Sequence, residues 1–217
     1  MSGGTEGRAG LSGKQTMRHG WIASGAAALM TLLSVAAAQA QNPESLYTEL
    51  LKGRCKFISI DEETNEEQVK RCPGHGGAQV LTRASHTNVY LSFRWSKRHT
   101  AEGVLSGWSL GDKVEWRGVR SSKGFVPYAT IVRVITRNLE TAAGGAHVLA
   151  VMRMDARTAC LAAAVEVAAN PDANALAREA ADTFARTFDC QKDKPRAFGT
   201  TTAAMEQVIG TEEKAPQ

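Results

Sequence analysis

One motif of a known catalytic type occurs in the chain: Gly107-Trp-Ser109-Leu-Gly111 matches the Gly-x-Ser-x-Gly nucleophile elbow of α/β-hydrolases. That elbow requires a strand before the serine and a helix after it. Here Ser109 lies in an expected 17-residue connection, Ser96 to Asp112, and a strand is expected from Lys113. His147 is the only histidine downstream. We therefore interpret the motif as a Gly- and Ser-rich turn and keep a small hydrolase using Ser109 as an alternative.

Metal and redox chemistry receive little support from the residue spacing. The histidines after residue 40 lack the His-x-x-x-His spacing of metal ligands; they are His75, His86, His99 and His147. The acidic run 61–67 has neither the glycine nor the alternating oxygen ligands of a calcium loop. No Cys-x-x-Cys occurs, which excludes the thioredoxin motif and c-type haem attachment. We predict no catalytic residue, metal or cofactor, with a histidine-based metal site as the alternative.

Aromatic and cationic residues concentrate between positions 94 and 120. The candidate binding surface consists of Arg94, Trp95, Lys97, Arg98, His99, Trp108, Trp116 and Arg117, with Arg120 beside it. Aromatic rings next to cations suit a sugar polymer, an anionic envelope component or a protein partner. Long connections in small domains are often functional, which directs attention to Ser96 to Asp112. In the competing interpretation Trp95 and Trp116 are core residues flanked by solvated cations.

The four cysteines form an even set, which indicates disulfides in an exported chain. Residues 55–60 and 67–72 are strand-like runs around an acidic loop. If Ile60 pairs with Glu67 in an antiparallel hairpin, Cys55 faces Cys72 at its base. Directly opposed residues lie within the distance that a disulfide spans. We predict the bond Cys55–Cys72.

The second bond follows from matching lengths. Cys160 opens an apolar run to Ala169 that predicts a strand of about 30 Å. Asn170 then resembles a helix N-cap followed by a proline, and residues 171–188 predict a helix of about 27 Å. Because the strand and the following helix run in opposite directions over similar lengths, Cys190 is expected to lie close to Cys160. We predict Cys160–Cys190; crossed pairs joining the hairpin to the helix are the alternative.

Residues 1–40 have the layout of a secretory signal peptide. Ile22 to Ala38 is uncharged and rich in Ala, Leu, Met and Val, with Arg18 just before it. The small-x-small sequence Ala38-Gln39-Ala40 predicts cleavage after Ala40. Met17 is an alternative start. An uncleaved membrane anchor is the competing interpretation, although Ser, Gly and Thr dilute the apolar run. We expect a periplasmic or secreted product that has no membrane segment after cleavage.

Size and charge limit what the mature chain can be. Removing residues 1–40 takes away three basic residues and one acidic residue, which leaves 23 Lys and Arg against 21 Asp and Glu. Such a balance lacks the concentrated positive charge of a nucleic-acid binder. The remaining 177 residues suffice for one domain with a sizeable core. We expect a single domain over 41–190 and a flexible tail over 191–217.

Hydrophobic periodicity predicts an α+β fold, a mainly antiparallel sheet of about six to eight strands. Asn88 to Trp95 alternates as a half-buried strand does, whereas Ala146 to Met154 and Cys160 to Ala169 are apolar on both faces, as in covered central strands. Besides the cysteine hairpin, strands are also expected over Ala78 to Arg83, Lys113 to Gly118 and Phe125 to Arg137.

Two helices are expected to accompany this sheet. Pro43 to Lys52 predicts a short amino-terminal helix. The carboxy-terminal helix carries one apolar stripe, so we expect it to pack on one face of the sheet.

Four stretches read together resemble a group of small exported proteins of alphaproteobacteria with no assigned activity. They are Arg71-Cys-Pro-Gly-His-Gly-Gly77, Val114-Glu-Trp-Arg117, Pro127-Tyr-Ala-Thr-Ile-Val-Arg133 and Asn170-Pro-Asp-Ala-Asn-Ala-Leu-Ala-Arg-Glu-Ala-Ala-Asp182. The likeness covers most of residues 45–190. It implies export and a single domain, and it supplies no catalytic residue.

These features favour a non-enzymatic binding or structural module of the cell envelope. Its expected partner is an envelope protein or a polysaccharide, and no feature indicates an oligomeric state. A more specific alternative is a periplasmic inhibitor of a cell-wall hydrolase. The small hydrolase using Ser109 or a histidine-held metal is the enzymatic alternative.

Overall fold

The computed structural model describes residues 42–51, 54–60, 68–96, 102–138 and 144–212. The expected signal peptide lies outside these residues, as do Lys97, Arg98, His99 and the acidic run 61–67. Across the described part of the chain, no helix is both long and apolar enough to cross a membrane.

Two sheets and two α-helices make up the described chain. Sheet 1 has the strand order β1-β7-β8-β9-β10-β11, and sheet 2 has the order β2-β3-β4-β5-β6. All pairings are antiparallel except that of β10 with β11. The strands are β1 Glu44–Glu49, β2 Lys56–Ile60, β3 Gln68–Pro73, β4 Gln79–Ala84, β5 Val89–Arg94, β6 Glu102–Gly107, β7 Ser109–Ser121, β8 Gly124–Arg137, β9 Gly144–Met154, β10 Ala159–Glu166 and β11 Arg196–Ala197. The α-helices are α1 Ala173–Glu179 and α2 Ala203–Glu212.

Sheet 1 is the middle layer of the described part of the chain. One of its faces packs against sheet 2 and α2, with Trp116, Val132 and Phe93 in the shared core. The other face packs against helical segment 173–187, which consists of α1, a π-helical turn Ala180–Phe184 and a 3₁₀ turn Ala185–Thr187. The α+β prediction is confirmed, and so is the packing of a carboxy-terminal helix on one sheet face. The strand number is higher than expected, eleven within the described residues.

The expectation of covered central strands is confirmed for β9 and β10. Along β9, Val148 and Ala150 belong to the core against sheet 2, whereas Leu149 and Val151 belong to the core against the helical segment. A strand with both faces covered has no position left for a solvated residue, which is why its sequence lacks the usual alternation.

Both predicted disulfides are present. Cys55 and Cys72 lie at the base of the β2–β3 hairpin, where Lys56 pairs with Arg71 in the expected register. A bulge after Phe57 then shifts the pairing by one residue. Cys160 at the start of β10 is bonded to Cys190 just after the helical segment, with the Cα atoms 5.8 Å apart. The strand and the helix therefore return to the same point.

The predicted amino-terminal helix is wrong, because Glu44–Glu49 forms β1. All six of its residues pair with β7, and Trp116 Nε1 of that strand donates a hydrogen bond to Thr48 Oγ1 at 3.0 Å. A helix of this length gains few internal hydrogen bonds, whereas the free edge of a long strand offers a complete ladder.

The segment after Cys190 differs from the expected tail over its described part. Phe198 N donates a hydrogen bond to Ala164 O beside β11, which adds to the edge of sheet 1. Met205 and Val208 of α2 are fully buried in the core between the two sheets. No long apolar stripe marks this helix, because only these two of its described side chains are fully buried, with Ala204 and Ile209 partly buried beside them. The helix packs against β6 and β10.

Two local expectations are also corrected. The supposed connection Ser96 to Asp112 contains β6 and the start of β7. Because β6 is rich in Gly and Ser and its one fully buried residue among those described is Leu105, its sequence lacks the alternation typical of a strand. The helix begins at Ala173 rather than at Pro171. The Asn170 side chain does not cap this helix but connects two loops. Its Nδ2 donates a hydrogen bond to Glu166 O, and its Oδ1 accepts one from Thr200 N.

Candidate functional site

Two ion pairs join sheet 1 to the helical segment. Arg178 Nε donates to Glu115 Oε1 at 2.7 Å, and Nη2 of the same guanidinium lies 3.2 Å from Glu115 Oε2. Arg117 Nε donates to Asp182 Oδ1 at 3.0 Å, and its Nη2 donates to Oδ2. Both arginines thus bind a carboxylate through two parallel hydrogen bonds, which is the most specific geometry for this pair.

Two hydroxyl groups bind to these pairs, and that of Ser45 connects them into one network. Ser45 Oγ donates to Glu115 Oε1 at 2.6 Å and accepts from Arg117 Nη1 at 2.8 Å. Tyr128 Oη donates to Asp182 Oδ1 at 2.6 Å. Burial and this hydrogen bond to a carboxylate raise the pKa of the Tyr128 phenol. We call the six residues the ion-pair network: Ser45, Glu115, Arg117, Tyr128, Arg178 and Asp182.

The network joins the helical segment to sheet 1 through its carboxylates. Both oxygens of Glu115 and both oxygens of Asp182 accept hydrogen bonds from arginine. Both partners of each ion pair are thus engaged within the fold, and each pair links a strand residue to a helix residue.

A polar cleft lies beside the network, at the α1 end of the helical segment. Its volume is about 470 Å³, within the usual range for small-molecule sites. We call it the basic cleft; its lining includes Tyr47, Gly111, Asp112, Lys113, Glu115, Ile131, Arg133, Leu149, Asn174 and Arg178.

A bulge in β7 shapes the basic cleft. Leu110 pairs with Val134 and Val114 with Val132, so three residues of β7 lie opposite the single residue Arg133. Gly111 is required at this point, because a Cβ there would lie 2.8 Å from the Cβ of Arg133. Bulges of this kind redirect side chains and are frequent next to binding sites.

A second, more apolar groove lies at the other end of the helical segment. We call it the aromatic groove; its volume is about 550 Å³ and its lining includes Gly76, Trp95, Val119, Phe125, Val126, Pro127, Tyr128, Arg153 and Arg186. Arg186 lies over the Tyr128 ring at 4.9 Å from its centroid. Val126 of β8 is 49% exposed and adds apolar surface to this groove.

The structure separates the residues of the predicted binding surface. Trp116 is fully buried in the core, and Arg117 belongs to the ion-pair network. Trp95 lines the aromatic groove, just after the end of β5. Trp108 follows Gly107, which pairs with Val89 at the start of β5, so about 20 Å of strand separates the two tryptophans.

The cations of the predicted surface are equally dispersed. Arg94 ends β5, and Arg120 forms an ion pair with Glu44. Lys97, Arg98 and His99 lie outside the described residues.

Ser109 does not have the setting of a nucleophile elbow. It lies within sheet 1 at the start of β7, opposite Ile135, and Ile135 pairs on its other side with His147. Ser109 and His147 are therefore two strands apart, about 10 Å at the backbone. His147 Nδ1 lies 3.3 Å from Arg133 Nη1 instead.

The histidines of the described chain form no metal site. His75 packs edge-on against the rings of Trp116 and Phe125, at 5.6 and 5.8 Å between centroids. Among the described residues, no group of three or more His, Cys, Asp or Glu side chains is arranged to hold a metal ion.

Two sequence signals pointed to the network and were missed. Glu115 and Arg117 are two apart on a strand, a spacing of about 6.7 Å, and Arg178 and Asp182 are four apart on a helix, a spacing of about 6 Å. The strand carries an acidic and then a basic residue, whereas the helix carries a basic and then an acidic residue, so the two charge patterns are complementary. Lys113 and Arg133 carried no such signal, because they lie on different strands and the pairing of Val114 with Val132 brings them together.

The chain matches no protein-family model, no curated protein and no solved structure.

Proposed function

We propose that the chain is an exported, non-enzymatic binding module of the cell envelope whose basic cleft binds an anionic envelope component. One observation carries the proposal. Lys113 and Arg133 both line the basic cleft, and none of the ion pairs between described residues includes either of them. Cations that a fold presents without an internal carboxylate are available to an external anion.

Export is supported by the sequence of residues 1–40 and by the cysteines. Four cysteines in two disulfides leave none of them as a free thiol. Disulfides persist in oxidising compartments such as the bacterial periplasm and are rare in the cytosol.

The non-enzymatic character is supported by the positions of the candidate catalytic groups. Glu115 of the basic cleft is bound to Arg178. Ser109 lies two strands away from His147, the histidine that follows it in the sequence. A binding role requires only the shape and charge of the cleft.

The test combines export and binding. After expression of the full chain with its own leader, we expect periplasmic protein that begins at Gln41 and retains anionic envelope polysaccharide in a pull-down, but not a neutral polysaccharide of similar length. The matched variants are Arg133→Gln in the cleft and Arg157→Gln in the exposed β9–β10 turn; only the first should lose retention. Cytoplasmic protein with its leader intact, or labelling by a fluorophosphonate, would contradict the proposal.

The aromatic groove favours a second candidate, inhibition of a cell-wall hydrolase. Its exposed Val126 beside Trp95, Phe125 and Arg186 resembles the aromatic and arginine anchors of protein interfaces. We expect the mature protein to slow lysis by a muramidase under this candidate, and Val126→Asp to remove the effect. Unchanged lysis rates would eliminate it.

A further inference from the structure

Lys113 and Arg133 are neighbours on adjacent strands of sheet 1. Val114 pairs with Val132, so the residue before Val114 and the residue after Val132 lie beside each other. Like charges at such positions repel and destabilise a sheet unless something compensates for them. Glu49 lies opposite Lys113 on β1, yet no ion pair of the described residues joins the two.

Arg133 is held in place before any ligand arrives. Gly111 leaves room for its Cβ, and His147 Nδ1 lies 3.3 Å from its Nη1. The guanidinium therefore needs little reorganisation to bind an anion, which reduces the entropic cost of binding. The third cation of the cleft, Arg178, is already engaged by Glu115, and Asp112 is an exposed acid at the rim.

The rest of the cleft suits a polar ring rather than a bare ion. Tyr47 is 46% exposed, and the ammonium of Lys113 lies 5.7 Å from the centroid of its ring. An anion bound at Lys113 would bring whatever it is attached to alongside that ring. Asn174 and Asp112 supply donors and acceptors for hydroxyl groups.

We propose that the basic cleft binds a single sugar unit that carries a carboxylate. The carboxylate lies between Lys113 and Arg133, the apolar face of the sugar ring packs on Tyr47, and hydroxyl groups bond to Asn174 and Asp112. This inference rests on the proposed function and names the ligand class of the same site.

Calorimetric titration of the exported chain with three probes tests the inference. D-glucuronate has both the carboxylate and the ring, D-glucose has only the ring, and inorganic phosphate has only the charge. We expect binding of glucuronate, no binding of glucose and weaker binding of phosphate. Phosphate binding as tight as glucuronate would overturn the role of the sugar ring, and no binding of glucuronate would overturn the inference as a whole.

Substitutions locate the site. Lys113→Gln and Arg133→Gln should each weaken glucuronate binding by about tenfold or more, the usual loss for a hydrogen bond to a charged group. Lys123→Gln and Arg157→Gln remove matched cations from exposed turns and should leave affinity unchanged. Because Lys113→Gln relieves repulsion, its thermal midpoint should equal or exceed that of the wild type. Unchanged glucuronate affinity in both cleft variants would place the ligand elsewhere and overturn the assignment.

The two proposals fail differently. If an anionic polysaccharide is retained through Arg133 but glucuronate does not bind, the assignment of a single sugar unit is overturned and the proposed function stands. Loss of both kinds of binding overturns the two together.

Discussion

The two faces of sheet 1 are built by different physical means, although they share the same strands. Toward sheet 2, β7 and β8 present Val114, Trp116 and Val132, all fully buried. Toward the helical segment the alternate positions of β7 present Glu115 and Arg117. One face is held by non-directional apolar packing, and the other combines packing with directional ion pairs.

The size of the buried side chains explains this difference. The helix contributes mainly alanines to its interface with sheet 1, among them Ala173, Ala177, Ala180 and Ala185. Alanines allow close approach but bury little area each, so their packing defines the position of the helix weakly. Two bidentate pairs add directional contacts along the helix, and the Cys160–Cys190 disulfide fixes its end. Apolar bulk thus sets stability on the first face, and ion pairs set position on the second.

The largest effect is expected on the apolar face. Trp116→Ala removes a fully buried ring that packs edge-to-face on Phe93 and should cost about 3–5 kcal/mol of unfolding free energy. Urea denaturation measures the change. Trp108→Ala, at a partly exposed ring that stacks on Arg137, is the control and should cost far less. Equal losses for the two variants would contradict the assignment of stability to this face.

A smaller effect is expected for the network. Asp182→Ala leaves Arg117 without its carboxylate and should cost about 2–3 kcal/mol, less than a fully buried pair because Asp182 is 22% exposed. Replacing both partners, as in Arg117→Met with Asp182→Leu, should restore most of that loss, since no unpaired charge remains. Urea unfolding of both variants measures this, and a double variant as unstable as the single one would show that the pair itself carries net stability.

The smallest effect is a dependence on pH. Tyr128→Phe should cost about 1.5 kcal/mol at neutral pH through its lost hydrogen bond to the carboxylate of Asp182. Because the pKa of Tyr128 is raised in the folded state, the unfolded chain loses this proton first, and stability falls as pH rises above about 10. The variant should show a shallower fall in chemical denaturation between pH 9 and 11, within about one pH unit of that value. An identical slope in both proteins would contradict the raised pKa.

Much of the fold was predictable because it depends on local periodicity. Both disulfides were predicted correctly, one from the register of the cysteine hairpin and the other from the matched lengths of β10 and the following helix. The apolar character of β9 on both faces predicted its central place. The candidate site was less predictable: the surface expected from Trp95, Trp108 and Trp116 is divided among a groove, a distant strand end and the core.

Local patterns were sufficient to predict the strands with clear alternation, the helix packed on the sheet and the pairing of the cysteines, because the two disulfides span only 17 and 30 residues. Tertiary structure decided that Glu44–Glu49 is a strand, because only the free edge of β7 stabilises it, and that α2 packs between the sheets. It also decided that Lys113 and Arg133 line one cleft, since the pairing of β7 with β8 brings them together and no spacing within one element does so.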